Sequence, residues 1–89
     1  MGALANPKAF AQEVSKGLQS LTMATLRPFT QNDLKSVLLG IEIVLREIRG
    51  EQIPAEDNMA MKEKNQRIMR LNSAAALVRG YCKQRKIII

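Results

Sequence analysis

Eight cationic side chains, Lys62, Lys64, Arg67, Arg70, Arg79, Lys83, Arg85 and Lys86, fall in the last third of the chain, where Glu63 is the only acid. In residues 1–58, six cations and seven acids nearly cancel, so the net charge of +6 is carried by one segment. Ammonium and guanidinium groups in such a run can neutralise phosphates, with salt-sensitive release of counterions. They can equally meet the carboxylates of an acidic protein surface or the head groups of an anionic membrane. At about 100° per residue they form two rows flanking an apolar seam, with Arg67, Arg70 and Arg85 on one side and Arg79, Lys83 and Lys86 on the other. Two rows of long side chains along a seam are also what a solvated helix margin in a bundle looks like. Base stacking has little to draw on, because Phe10 and Phe29 read as packing residues and only Tyr81 stands among the cations.

Other chemistry is sparse. The chain has no His, and Cys82 is its single cysteine, so it offers no imidazole and no intrachain disulfide. Cys82 falls on an apolar helix stripe and reads as a small packing residue, although Lys83 and Arg85 could activate a thiolate. Glu47, Glu51, Glu56, Asp57 and Glu63 could supply oxygen ligands to a hard cation, but acids near helix ends are more simply explained by capping and dipole effects. No glycine-rich phosphate loop or nucleophile motif is present. The expectation is a non-enzymatic protein with no metal, no cofactor and no small-molecule substrate.

The elements that must position these residues follow from apolar periodicity. Asn6-Pro7 is a helix start, with Asn as cap and Pro at the first helical position. Phe10, Val14, Leu18 and Leu21 then predict a helix over about 7–25, closed by Arg27-Pro28. Thr30 and Asp33 form an imperfect capping box ahead of a second helix over 31–49. Its core stripe is Leu34, Leu38, Ile41, Leu45 and Ile48, widened by Val37 and Val44. Leu39 and Ile43 lie off that stripe, as on a helix touched from two sides. Gly50 and Ile53-Pro54 break the chain before a third helix over about 55–85. There Met61, Ile68, Leu71, Ala75, Val78 and Cys82 keep a heptad seam, and the helix is read as continuing through Gly80. Asn65, Gln66, Asn72 and Ser73 interrupt its polar flank, where they either face water or fix the register of a helix pair.

The fold predicted is all-α and single-domain over 1–89. The first two helices form an antiparallel hairpin against half of a longer third one, whose remaining seam calls for a second chain. A bundle-type homo-oligomer is therefore expected, with Leu39, Ile43, Met61, Ile68, Leu71, Ala75, Val78 and Cys82 as its candidate helix–helix interface. Residues 83–89 read as a basic and apolar tail that is loosely held or docks on a partner. The longest charge-free run is Gly17 to Leu26, about half of what a membrane span needs. The first residues lack a leader pattern, and Asn6 stands where a lipidation motif after Gly2 wants Ser or Thr. The expected setting is cytoplasmic. The expected role is an interaction, assembly or regulatory module acting on an acidic partner through Arg67, Arg70, Arg79, Tyr81, Lys83, Arg85 and Lys86. The alternative is non-sequence-specific nucleic-acid binding through 62–86.

Overall fold

A computed structural model describes residues 6–87, which form four α-helices and no strand: α1 (Pro7–Ser15), α2 (Met23–Leu26), α3 (Gln31–Arg49) and α4 (Asn58–Gln84). The expected first helix is thus divided. Asn6 does cap it, accepting from the Ala9 N–H at 3.1 Å, but α1 ends at Ser15 and not near Thr25. The cause is Gly17, which takes a left-handed φ of 80°. The Leu18 N–H then reaches the Glu13 carbonyl at 2.9 Å and the Gly17 N–H reaches that of Val14 at 3.1 Å, the paired bonds of a Schellman stop. Leu18 leaves the apolar stripe altogether and is 72% exposed. A new turn, α2, starts where Thr22 and Thr25 exchange side-chain and backbone hydrogen bonds, and it seats Leu26 in the core.

The second predicted helix coincides with α3. The Thr30 hydroxyl accepts from the Asp33 N–H at 3.1 Å while the Asp33 carboxylate accepts from the Thr30 N–H at 3.0 Å, so Asp serves the box as Glu would. Helix α4 opens on Asp57, whose carboxylate accepts from the Ala60 N–H at 3.0 Å, and it runs unbroken through Gly80. Its end is a second Schellman stop. Lys86 sits at φ 58°, the Ile87 N–H bonds the Cys82 carbonyl at 2.7 Å, and the Lys86 N–H bonds that of Lys83 at 3.2 Å. The segment expected to be a loose tail therefore begins as helix at Lys83 and Gln84 and closes in an ordered turn that packs Ile87 against the core. Ile88, Ile89 and residues 1–5, including Gly2, lie outside the described residues.

The antiparallel pair is α3 with α4. Glu51, just past α3, meets Lys64 and Arg67, while Leu38 lies near Cys82 at the other end. Helix α1 runs beside α3 in the same direction: Pro7 lies on Gly40, and Gln12, Ser15 and Lys16 line a recess with Val44, Glu47 and Ile48. The expected α1–α3 hairpin is corrected accordingly. A helix pair joined as a hairpin needs only a short link, whereas residues 16–30 form a crossover long enough to carry the chain back to the end where α3 begins. On that crossover α2 packs against α4, and Phe29 meets Phe10 edge-on with ring centroids 6.3 Å apart.

The core is one cluster in which α1 contributes Ala11 and Val14, α2 Leu26, α3 Leu34, Val37, Ile41, Val44, Leu45 and Ile48, and α4 Leu71, Ala74, Ala75, Val78, Tyr81 and Cys82. Helix α4 is 27 residues long and accounts for most of the molecule's 45 Å length. Because Arg67 is level with Glu51, the first turns of α4 project past α3, and no residue of 58–66 is buried. No helix among the described residues is long and apolar enough to cross a membrane.

Candidate functional site

The two basic rows of α4 have different fates. The Arg67 guanidinium donates to both Glu51 carboxylate oxygens at 2.7 and 3.3 Å, and the Lys64 ammonium donates to the Glu51 carbonyl at 3.0 Å. The hydrogen bond from Arg67 holds the Glu51 carboxyl below its ordinary range, against a smaller opposing desolvation, with the charges of Arg67 and Lys64 adding to the lowering. Arg70 donates to the Ser15 carbonyl at 3.0 Å, where the C-terminal carbonyls of α1 lack helical partners. Arg85 lies over the Tyr81 ring, 5.4 Å from its centroid. Arg67 and Arg70 therefore fasten α4 to the ends of α3 and α1, while Arg85 is engaged at the end of its own helix. Tyr81 is only 5% exposed, so its ring belongs to the core and does not stand open for base stacking.

The second row is placed differently. Arg79 and Lys83 stand beside a groove of about 700 Å³ between α3 and the end of α4, lined also by Lys35, Leu38, Leu39, Glu42, Cys82 and Ile87. Leu39 is 56% exposed, and Leu38 and Ile87 are half-buried, which gives the groove an apolar floor. Lys35, Arg79 and Lys83 form its cationic rim, and among the described residues none of the three is ion-paired. Glu42 is the one acid on the lining. Lys86 does not line the groove; its left-handed turn delivers Ile87 to the floor.

The candidate interface residues divide as well. Leu71, Ala75, Val78 and Cys82 are buried within the chain's own core, Ile43 and Ile68 are half-buried, and Leu39 and Met61 are exposed. Thus the lower seam of α4 is covered by α1 and α3 without a second chain, and only its upper part is left open. Burial raises the Cys82 thiol pKa, so the neighbouring cations do not activate it. Three of the five acids weighed as cation ligands are occupied otherwise: Glu47 pairs with Lys8 at 2.7 Å, Glu51 pairs with Arg67 and Asp57 caps α4. Among the described residues no group of three or more acids or thiols is arranged to hold a metal ion.

Lys35 is the rim residue that charge distribution alone does not find, because it belongs to the nearly neutral first part of the chain. Its signal is its spacing with Leu39 and Glu42, four and seven residues on, on a flank of α3 off the core stripe, where Leu39 already stood out. No family model matches the chain, and neither the curated proteins nor the solved structures compared with it give a match.

Proposed function

We propose that this protein is a non-enzymatic helical interaction module that binds an acidic segment carrying apolar anchors in the groove between α3 and the end of α4. The observation that carries this reading is the combination of a solvent-open apolar floor, Leu38, Leu39 and Ile87, with the rim cations Lys35, Arg79 and Lys83, which have no ion-pair partner among the described residues. An amphipathic helix seats apolar side chains spaced by three or four residues in such a groove, while rim charges steer it and set its orientation. Nucleic-acid binding is the weaker alternative, since half of the expected cationic surface is engaged within the fold and the only candidate stacking ring is buried.

The test is fluorescence anisotropy with a labelled helical peptide of Leu and Glu, its Leu and Lys counterpart, duplex DNA and single-stranded RNA, at about 50 and 200 mM salt. The Glu peptide is expected to bind and its counterpart to fail. Joint Arg79→Glu and Lys83→Glu substitution is expected to weaken the Glu peptide by about tenfold or more, the equivalent of one well-placed charge contact. Changing Lys16 and Arg49 to Glu is expected to leave it unchanged. Tight, steeply salt-dependent binding of DNA or RNA with no binding of the Glu peptide would overturn the reading.

A further inference from the structure

We infer that Glu42 sets the charge pattern of the groove's partner, a helix that presents one cation to Glu42 and acids to the cations on either side of it. The inference rests on the groove as a docking site for an acidic helix with apolar anchors, and adds the register and length of that helix and one required positive charge. It begins from a second recess, of about 210 Å³, lined by Glu42, Leu45, Arg46 and Arg49. Glu42 lines both recesses. At about 100° per residue, Lys35, Leu39, Glu42, Arg46 and Arg49 fall within roughly 80° of one another on α3, so the two recesses follow one another along a single track. From Lys35 to Arg49 it is about 21 Å long at 1.5 Å per residue.

Charge alternates along that track. Lys35 stands at one end with Arg79 and Lys83 on the same recess, and Lys86 follows Lys83 in the closing turn. Glu42 comes seven residues after Lys35, and Arg46 and Arg49 come four and seven residues after Glu42. Helix α4 adds no acid to this side. The flank that carries Arg79 and Lys83 continues through Asn72, Ile68 and Asn65. Glu63, the only acid of α4, lies about 180° round the helix from Asn72, and Lys62 lies about 80° round it toward solvent. Lys64 is held on the Glu51 carbonyl.

Glu42 is not taken up by the fold. It is exposed, and Arg46 stands at the spacing of an ordinary helix ion pair, yet among the described residues neither Glu42, Arg46 nor Arg49 is ion-paired. By contrast Glu13 accepts from the Gln19 amide, Asp33 caps α3, and Glu47 and Glu51 are paired. An acid between two cationic clusters repels the midpoint of a uniformly acidic occupant, and like charges facing each other reject wrong partners. The matching helix therefore carries acid, cation and acid at successive heptad steps, with apolar residues three or four positions from them to meet Leu38, Leu39 and Ile87. Because Lys35 and Arg49 are equally spaced about Glu42, the central cation fixes the register of that helix.

Fluorescence anisotropy of the full chain tests this with three labelled Leu-based helical peptides that carry Glu at both outer heptad positions and Lys, Gln or Glu at the central one. The Lys-centred peptide is expected to bind about tenfold more tightly than the Glu-centred one, with Gln between them, although the Glu-centred peptide has the larger charge opposite to that of the protein. Glu42→Lys is expected to reverse the order. Glu63→Lys changes the net charge equally from the far side of α4 and is expected to leave the order intact. Circular dichroism of both variants should match the wild type, since both residues are exposed. A Glu-centred peptide that binds as tightly as the Lys-centred one, or an order that Glu42→Lys does not alter, overturns the assignment of Glu42 and leaves the groove as a site for acidic helices. Failure of all three peptides removes the groove reading and this one with it.

Discussion

Replacing Gly40 by Ala pits two effects of opposite sign against each other in the middle of α3. Helix propensity alone favours the substitution by about 1 kcal/mol, because Ala loses less backbone entropy than Gly. Packing opposes it. A Cβ at Gly40 would stand 2.4 Å from the Pro7 carbonyl oxygen and 2.8 Å from its carbon, against a close carbon–oxygen contact of about 3.3 Å, so α1 must retreat by roughly 0.9 Å. The obstructing atoms are backbone in the first turn of α1 and cannot swing aside as a side chain would. Retreat also loosens Ala11 and Val14, which are 0% and 4% exposed. Overpacking of this kind costs about 3 kcal/mol at the upper end of its usual range, which leaves a net loss of about 2 kcal/mol once propensity is subtracted. At roughly 4–8 °C per kcal/mol for a domain of this size, the midpoint should fall by about 8–16 °C. Thermal and urea unfolding followed at the helical band would measure it, with Gly80→Ala as the internal control. That glycine has nothing within 4 Å of a built Cβ, so its replacement should raise stability by about 1 kcal/mol. If Gly40→Ala were as stabilising as Gly80→Ala, the close crossing of α1 over α3 would be refuted.

The two Schellman stops should respond in opposite directions. Lys86→Gly relieves a left-handed non-glycine residue and should stabilise by about 1 kcal/mol, whereas Gly17→Ala introduces one and should destabilise by a similar amount; urea midpoints of the two variants check both signs. The Glu51–Arg67 pair should give a small pH-dependent term. With the folded pKa lowered, its contribution is complete above the ordinary Glu value, about pH 4.3, and is lost as pH falls through the lowered folded value. Both partners are substantially exposed, so the term is expected to be about 0.5 kcal/mol. The difference in urea midpoint between wild type and Glu51→Gln should shrink toward zero on acidification, and a difference that grows on acidification would contradict the pairing.

The limits of α3 and the continuity of α4 were legible in the residues themselves. Thr30 with Asp33, Gly50 and Asp57 act through bonds within a turn or two of chain, and apolar periodicity is likewise a property of one helix. The missed break in α1 was also local. Gly17 was available as a stop signal, but the apolar spacing of Leu18 and Leu21 carried the predicted helix past it, although Leu18 meets no core. Gly40 did not stand out in the sequence of α3, because the Pro7 backbone that lies on it belongs to another helix.

What charge distribution determined by itself is that the cationic excess belongs to the last third of the chain. Only the tertiary structure decided which cations are spent within the fold and which stand at a groove. The fates of Arg67 and Arg70 depend on Glu51 and on the end of α1, both distant in sequence. Lys35 joins Arg79 and Lys83 because α3 and α4 are antiparallel. A single helix's pattern gives the angle of each side chain about its own axis. Which of those angles face solvent is set by the helices packed around it, so the open groove emerges only when all of them are in place.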